Sequence, residues 1–326
     1  MWKYAQLKVA ELVGHLLPRR IGYGIARRFA DLYWMFDRAG RERVMANLQR
    51  IHQHSGVMLS RRALRALARE NFLNFAKYLV DFFHFLRLDP RRIQRLVDFA
   101  NSRDVLDALR GHGKGIIILS AHLGNWELGA AALAMQGYPI HAVALQHSNE
   151  RVNRMYWDQR KARGLQGIPM GRAARECIAV LRRNEIVALV GDRDFSTACD
   201  TVEFFGQPAR LPIGPAKLAL ATGAPILPVY MVRRPDETFT YIIDEPIWAD
   251  KSLDTIEDVM RQIVRSLECV ISRHSEQWFL FHNPWDIETD RALATAAAFG
   301  APVTGPGPRT RAAAAALSRE AESRHE

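Results

Sequence analysis

The chain is short of cysteine, acid and long apolar runs. Its 326 residues include three cysteines, Cys177, Cys199 and Cys269. Odd in number and widely spaced, they argue against a disulfide framework and for a reducing compartment, and each reads as a small buried residue. No stretch approaches the roughly 18 consecutive apolar residues of a spanning helix, and the N-terminus lacks a signal-peptide arrangement. Acid is outnumbered: 35 Asp and Glu stand against 45 Lys and Arg, a formal charge of +10. Such a surplus favours a polyanionic neighbour. Nothing resembling a helix-turn-helix, zinc finger or RNP block accompanies it, which makes nucleic acid the weaker choice and leaves an anionic membrane or an acidic protein. There is no G-x-S-x-G elbow to supply a nucleophilic serine, and no third ligand beside the His-Glu pair described below to make a zinc site. No internal repeat or interior low-complexity linker divides the chain. At 48% hydrophobic it can bury a full α/β core.

What is present starts at Lys114 to Leu119 (KGIIIL), β-branched and apolar, which reads as a buried strand. Asn125 to Met135 reads as a helix ended near Gly137. Between them, Ser120-Ala121-His122-Leu123-Gly124-Asn125-Trp126-Glu127 sets a histidine and a carboxylate five positions apart at a strand exit. On an unbroken helix, residues five apart point about 140° away from each other. A turn at Gly124 is therefore required for His122 and Glu127 to meet. If they meet, Glu127 accepts a hydrogen bond from one imidazole nitrogen and leaves the other to take a proton from a hydroxyl. That would be a general base without its own nucleophile; the alternative is a surface or packing histidine.

Residues 1–110 read as mostly helical. Trp2 to Leu17 places Leu7, Ala10, Val13 and Leu17 near one face, flanked by Lys3, Lys8, Arg19 and Arg20. Such a helix either lies in a membrane interface or packs on its own domain. Ile21 to Phe36 and Arg61 to Leu88 show helical apolar spacing, and Asp89-Pro90 breaks the second. Phe72, Phe75, Tyr78, Leu79, Phe82 and Phe83 make an aromatic ridge, read as core, as the wall of an acyl-chain groove or as a membrane-facing patch. From 111 onward, strands at 115–119, 140–145, 186–190, 226–232 and 239–243 alternate with helices at 125–135, 149–163, 173–183, 214–222 and 254–273. The pattern predicts an α/β fold: a helical N-terminal region, then a mixed, mostly parallel sheet covered by helices, with the pair at 226–243 as an antiparallel edge. Residues 1–290 are expected to form one domain, helical over 1–110 and α/β over 111–290. Residues 291–326, poor in large apolar side chains, are expected to be a disordered tail.

Four blocks carry a family resemblance. SAHLGNWELGA resembles the H-x4-D/E block of the glycerolipid and lipid A acyltransferase superfamily. It is followed in the family's order by GDRDF at 191–195, VEFFGQPARLPIGPAKLALATGAPILPVY at 202–230 and EQWFLFHNPW at 276–285. The third of these four is the most specific, being similar to runs in bacterial lipid A acyltransferases and mycobacterial phosphatidylinositol mannoside acyltransferases. Two departures stand out. Many lipid A members carry Thr near Leu211, and His282-Asn283-Pro284-Trp285 replaces the common H-R-R-W/F.

The resemblance implies a glycerolipid acyltransferase-like fold and transfer of an acyl chain from acyl carrier protein or acyl-CoA, used as co-substrate with no other cofactor and no metal. The acceptor would be a hydroxyl of a glycolipid of the lipid A precursor type, or else a phosphatidylinositol mannoside or a lysophospholipid. His122 would be the base and Glu127 its orienter, with backbone N–H groups near Gly124 or an arginine at the oxyanion. Asp192, Arg193 and Asp194, after the strand at 186–190, are expected near substrate; the resemblance sets them beside the His-Glu pair, and Arg193 suits a phosphate or the carrier's phosphopantetheine. Arg160 and Arg163 are candidates for headgroup phosphates or an acidic carrier; which of them matches the family arginine stays open. Arg210 precedes a helix whose N-terminus favours an anion. Trp278 reads as packing. The expected location is peripheral, at the cytoplasmic face of the inner membrane, in contact with membrane lipids. A thioester hydrolase and a non-catalytic lipid-binding module are the readings from other classes.

Overall fold

A computed structural model describes residues 2–84, 89–144, 149–170, 173–193 and 199–287. The expected tail at 291–326 and the candidate Asp194 lie outside the described residues. Helices α1 (Trp2–Leu16), α2 (Arg19–Phe36), α3 (Arg38–His54), α4 (Arg61–His84) and α5 (Pro90–Leu96) open the chain. Asp37 separates α2 from α3 by accepting from the Gly40 N–H at 2.8 Å, and Asp89 caps α5 ahead of Pro90.

The aromatic ridge of α4 divides its labour. Phe82 and Phe83 are buried with Leu7 of α1, while Phe75, Tyr78 and Leu79 turn to a cavity described below. Polar residues of α3 and α4 face inward as well. Asn47 donates to the carbonyls of Leu280 and His282, and Asn71 to that of Trp278 at 2.7 Å. These amides satisfy the backbone of an irregular segment that has few ladder partners of its own.

Strand β1 (Val97–Asp98) and helix α6 (Ser102–Arg110) lead to β2 (Ile116–Ser120), α7 (Trp126–Ala134), β3 (Ile140–Ala144), α8 (Glu150–Lys161), β4 (Gln166–Pro169), α9 (Ala173–Arg182) and β5 (Ile186–Val190). Next come the hairpin β6 (Cys199–Phe204) and β7 (Gln207–Pro212), then α10 (Gly214–Thr222), β8 (Ile226–Arg233), β9 (Phe239–Ile243) and α11 (Ile256–Arg273). The seven-stranded sheet runs β1-β9-β8-β2-β5-β3-β4. All its pairs are parallel except β8 with β9. The expected α/β architecture is therefore present. The antiparallel pair is not the edge, because β1 adds outside β9, and two residues of sheet amid helices leave no period-2 signal to read.

The central strand β2 is apolar on both sides, and two hydrophobic clusters form, one on each face of the sheet. Its register with β5 fixes the site. Ser120 lies opposite Val190, the last residues of two neighbouring parallel strands. Each chain then continues two residues further, to His122 and to Asp192.

Candidate active site

His122 and Asp192 meet because of that register. The His122 ring Nδ1 lies 2.8 Å from Asp192 Oδ1, and the His122 backbone N–H donates to Oδ2 at 2.9 Å. Trp278 Nε1 donates to the same Oδ2 at 2.8 Å. Asp192 is fully buried. Burial pushes its carboxyl up, but the His122 ring and the hydrogen bonds from the ring, Trp278 and the His122 amide outweigh that and hold it below the usual carboxylate range. The carboxylate fixes the ring tautomer with the Nδ1 proton toward itself, so Nε2 can accept a proton.

The turn at Gly124 forms as expected. Its φ is +60°, and a Cβ there would lie 1.9 Å from the Met231 carbonyl oxygen, so both the conformation and the close approach require glycine. The loop is held by backbone: Gly124 N–H donates to Gln277 O, Asn125 N–H to Met231 O, and Phe279 N–H to His122 O. Those bonds engage the Gly124 and Asn125 amides. Asn125 caps α7, its side chain accepting from the Leu128 N–H at 3.0 Å.

Glu127 does not take the place expected of it on the imidazole Nδ1. Its carboxylate instead receives Arg160, Nη2 to Oε1 at 2.5 Å and Nε to Oε2 at 3.2 Å. The first turn of α7 aims Glu127 at α8, while Asp192 reaches the ring from the adjacent strand. Burial raises the Glu127 carboxyl, and the Arg160 charge and hydrogen bonds more than reverse this. The His122 charge adds to that lowering, so Glu127 belongs to the same electrostatic neighbourhood.

The remaining candidates separate by position. Arg160 and Arg193 line the cavity; Asp192, Arg163 and Arg210 are not among its lining residues. Asp192 is buried against the His122 ring. Arg163 is buried and donates to Phe82 O at 2.6 Å and to Gln159 Oε1 at 3.1 Å, tying α8 to α4. Burial pushes its guanidinium down to about 10, against the pull of Glu127. Arg210 sits on β7 opposite Thr201. His282 lines the cavity, and burial followed by the Arg193 charge keeps its imidazole neutral well below the ordinary range.

The cavity has a volume of about 930 Å3 and is mostly apolar. Ile118, Leu133, Ala188 and Met231 wall it from the α7 face of the sheet, and Cys177, Ile178, Leu189 and Leu218 from the other. It thus wraps the carboxyl ends of the strands, and His122 stands in its wall with Trp126, whose ring lies edge-on at 5.0 Å. Tyr78 stacks on Trp126 at 4.5 Å. Tyr78 stands in the wall that the aromatic ridge offered, whereas sequence reasoning passed over Tyr156 and Lys217 as lining residues and Trp278 as a partner of Asp192. Aromatic spacing on a helix marks core and cavity wall alike, so only Lys217, at the start of a helix in a family-like block, carried a usable signal. Among the described residues, no group of three or more His, Cys, Asp or Glu side chains is arranged to hold a metal ion.

The sequence is similar to those of known proteins. Phosphatidylinositol mannoside acyltransferase of Mycobacterium tuberculosis (strain ATCC 25618 / H37Rv) is 31% identical over 162 residues, covering 48% of this chain and 51% of that protein. The protein of the same name from Mycolicibacterium smegmatis is 25% identical over 231 residues, 69% of this chain and 75% of that protein. The chain thus spans about half the length of the first of these relatives. A family model described as bacterial lipid A biosynthesis acyltransferase matches residues 2–286. Nearly all the described residues fall within that match, and the chain belongs to the bacterial lipid A biosynthesis acyltransferase family.

Proposed function

We propose that the protein transfers a fatty acyl chain from a thioester donor, acyl carrier protein or CoA, to a hydroxyl of a glycolipid of the lipid A precursor type. The observation that carries this reading is a buried His122–Asp192 pair set in the wall of a large apolar cavity. His122 Nε2 takes the proton of the acceptor hydroxyl as its oxygen attacks the thioester carbonyl. The C–O bond forms, the tetrahedral intermediate collapses with cleavage of the C–S bond, and the imidazolium returns its proton to the leaving thiolate. Asp192 stabilises the imidazolium. Arg193 is the cationic group we assign to the developing oxyanion or to a substrate phosphate. A phosphatidylinositol mannoside acceptor is the second reading, favoured by the names the two mycobacterial relatives carry.

The reaction is proposed to occur at the cytoplasmic face of the inner membrane, with the protein attached peripherally. No helix among the described residues is long and apolar enough to cross a membrane. The support comes from α2. It turns Gly22, Ala26 and Ala30 inward, and leaves Ile21, Phe29, Leu32, Met35 and Phe36 exposed. Phe36 is 79% exposed, far beyond what a packed aromatic shows, and the exposed Arg20, Arg27 and Arg28 share the helix. An apolar face rimmed by arginine suits an anionic interface. Trp34 of α2 lies 5.5 Å from Phe72, which lies 5.2 Å from Phe281 in the cavity wall, so this helix adjoins the site.

The test is thiol release from palmitoyl-CoA, as probe donor, with and without a lipid A precursor as probe acceptor. A transferase releases thiol in step with acylated acceptor and releases little in water alone; release independent of acceptor means a hydrolase. His122→Ala should abolish both signals, and near-normal turnover by that variant would remove the base.

A further inference from the structure

We infer that Trp278 is a positioning residue for the base, an inference that rests on the His122–Asp192 reading above. The segment Gln277 to Phe279 holds both members of the pair at once. Its backbone accepts from the Gly124 N–H and donates from the Phe279 N–H to the His122 carbonyl, while the Trp278 indole N–H reaches Asp192 Oδ2 at 2.8 Å. Leu123 and Trp278 form an isolated antiparallel bridge. The segment is itself fixed from two further sides. Asn71 of α4 donates to the Trp278 carbonyl at 2.7 Å, and the Gln277 side chain accepts from the Arg233 N–H at 2.8 Å and donates to its carbonyl at 3.0 Å.

With Trp278 2% exposed, its indole N–H needs a buried acceptor, and Asp192 supplies it. In return, the indole satisfies one carboxylate oxygen so that the other points at the ring. Phenylalanine would fill most of the same space and make no such bond, which separates the packing role from the positioning one. Among the described residues, the charged and titratable groups that face the pair include Glu127 from α7, Tyr230 from β8 and His282, with Arg193 next in sequence.

The experiment compares Trp278→Phe with the wild type for kcat and KM, using palmitoyl-CoA and the lipid A precursor. Losing one hydrogen bond to a charged group should lower kcat about tenfold with KM changed by less than about twofold. If Trp278→Phe does not fold, the benzothienyl isostere of Trp278, which replaces the N–H by sulfur at the same shape, gives the same readout. A folded variant with unchanged kcat overturns the inference. If His122→Ala is dead while the position-278 variants are normal, this inference alone fails; if His122→Ala is active, the base reading fails first.

Discussion

Two carboxylates stand near His122, and the structure gives them different work. Asp192 holds the Nδ1 proton, whereas Glu127 neutralises Arg160 in a buried pair. Asp192→Asn should therefore lower kcat by about 10²–10⁴-fold with a modest change in Tm, because it removes the charge behind the base. Glu127→Gln should act mainly on stability. It leaves the Arg160 guanidinium buried and uncompensated, a loss of about 3 kcal/mol. Kinetics and thermal melts on the two variants decide between them, and the opposite pattern would return the orienting role to Glu127. The histidine was legible from its place between a strand and a Gly-permitted turn. Its partner was not legible from spacing, because Asp192 is 70 residues away; the family resemblance set that block beside the pair, and the pairing of Ser120 with Val190 is what brings the two side chains together. Sequence spacing favours the near carboxylate, and strand register supplies the far one.

At the level of elements, the long periodic helices and the apolar strands could be read from their spacing, since burial on one face or both writes itself into the residue pattern. The two-residue β1, the short β4 and the hairpin β6–β7 could not; they are short, polar or fixed by distant partners. For α1 and α2, periodicity marked an apolar face and left its neighbour undecided. The structure divides the question, because α1 turns Leu7 into the core and leaves Leu12 and Leu16 exposed, while α2 exposes the larger apolar surface. Leu32→Glu with Phe36→Glu should thus cut sedimentation with vesicles of phosphatidylethanolamine and phosphatidylglycerol severalfold at unchanged Tm, and higher salt should weaken what remains. Undiminished binding by the double variant would move the contact elsewhere.

Across the whole molecule, one buried charge cluster joins the helical part to the sheet. Asp81 of α4 accepts from Arg19 at 3.0 Å, from Tyr23 at 2.6 Å and from Arg233 of β8 at 2.5 Å, and Arg19 also reaches Glu237 O. Burial raises the Asp81 carboxyl, but Arg233, Arg19 and the Tyr23 hydroxyl lower it further, so its folded value lies below its unfolded one. Asp192 and Glu127 share that direction. Such groups contribute stability above their unfolded values, about 4, and the contribution is lost as pH falls through the folded values. Tm should therefore hold near neutrality and drop steeply below about pH 4. Asp81→Asn should lower Tm at pH 7, because two arginines lose their counterion, and should flatten the acid decline. A parallel decline in the variant would mean that other carboxylates carry the effect.

The loop that presents His122 is tied down by main-chain atoms, the carbonyls of Met231 and Gln277 and the amide of Phe279. Every residue type offers that carbonyl, and every one except proline offers that amide. His122 is thereby insulated from much of the substitution that reshapes a cavity wall. Met231 and Phe279 both line the cavity, so a lineage can exchange their side chains and reshape it while the same backbone continues to hold the histidine. The histidine and the shape of the cavity can then be inherited separately.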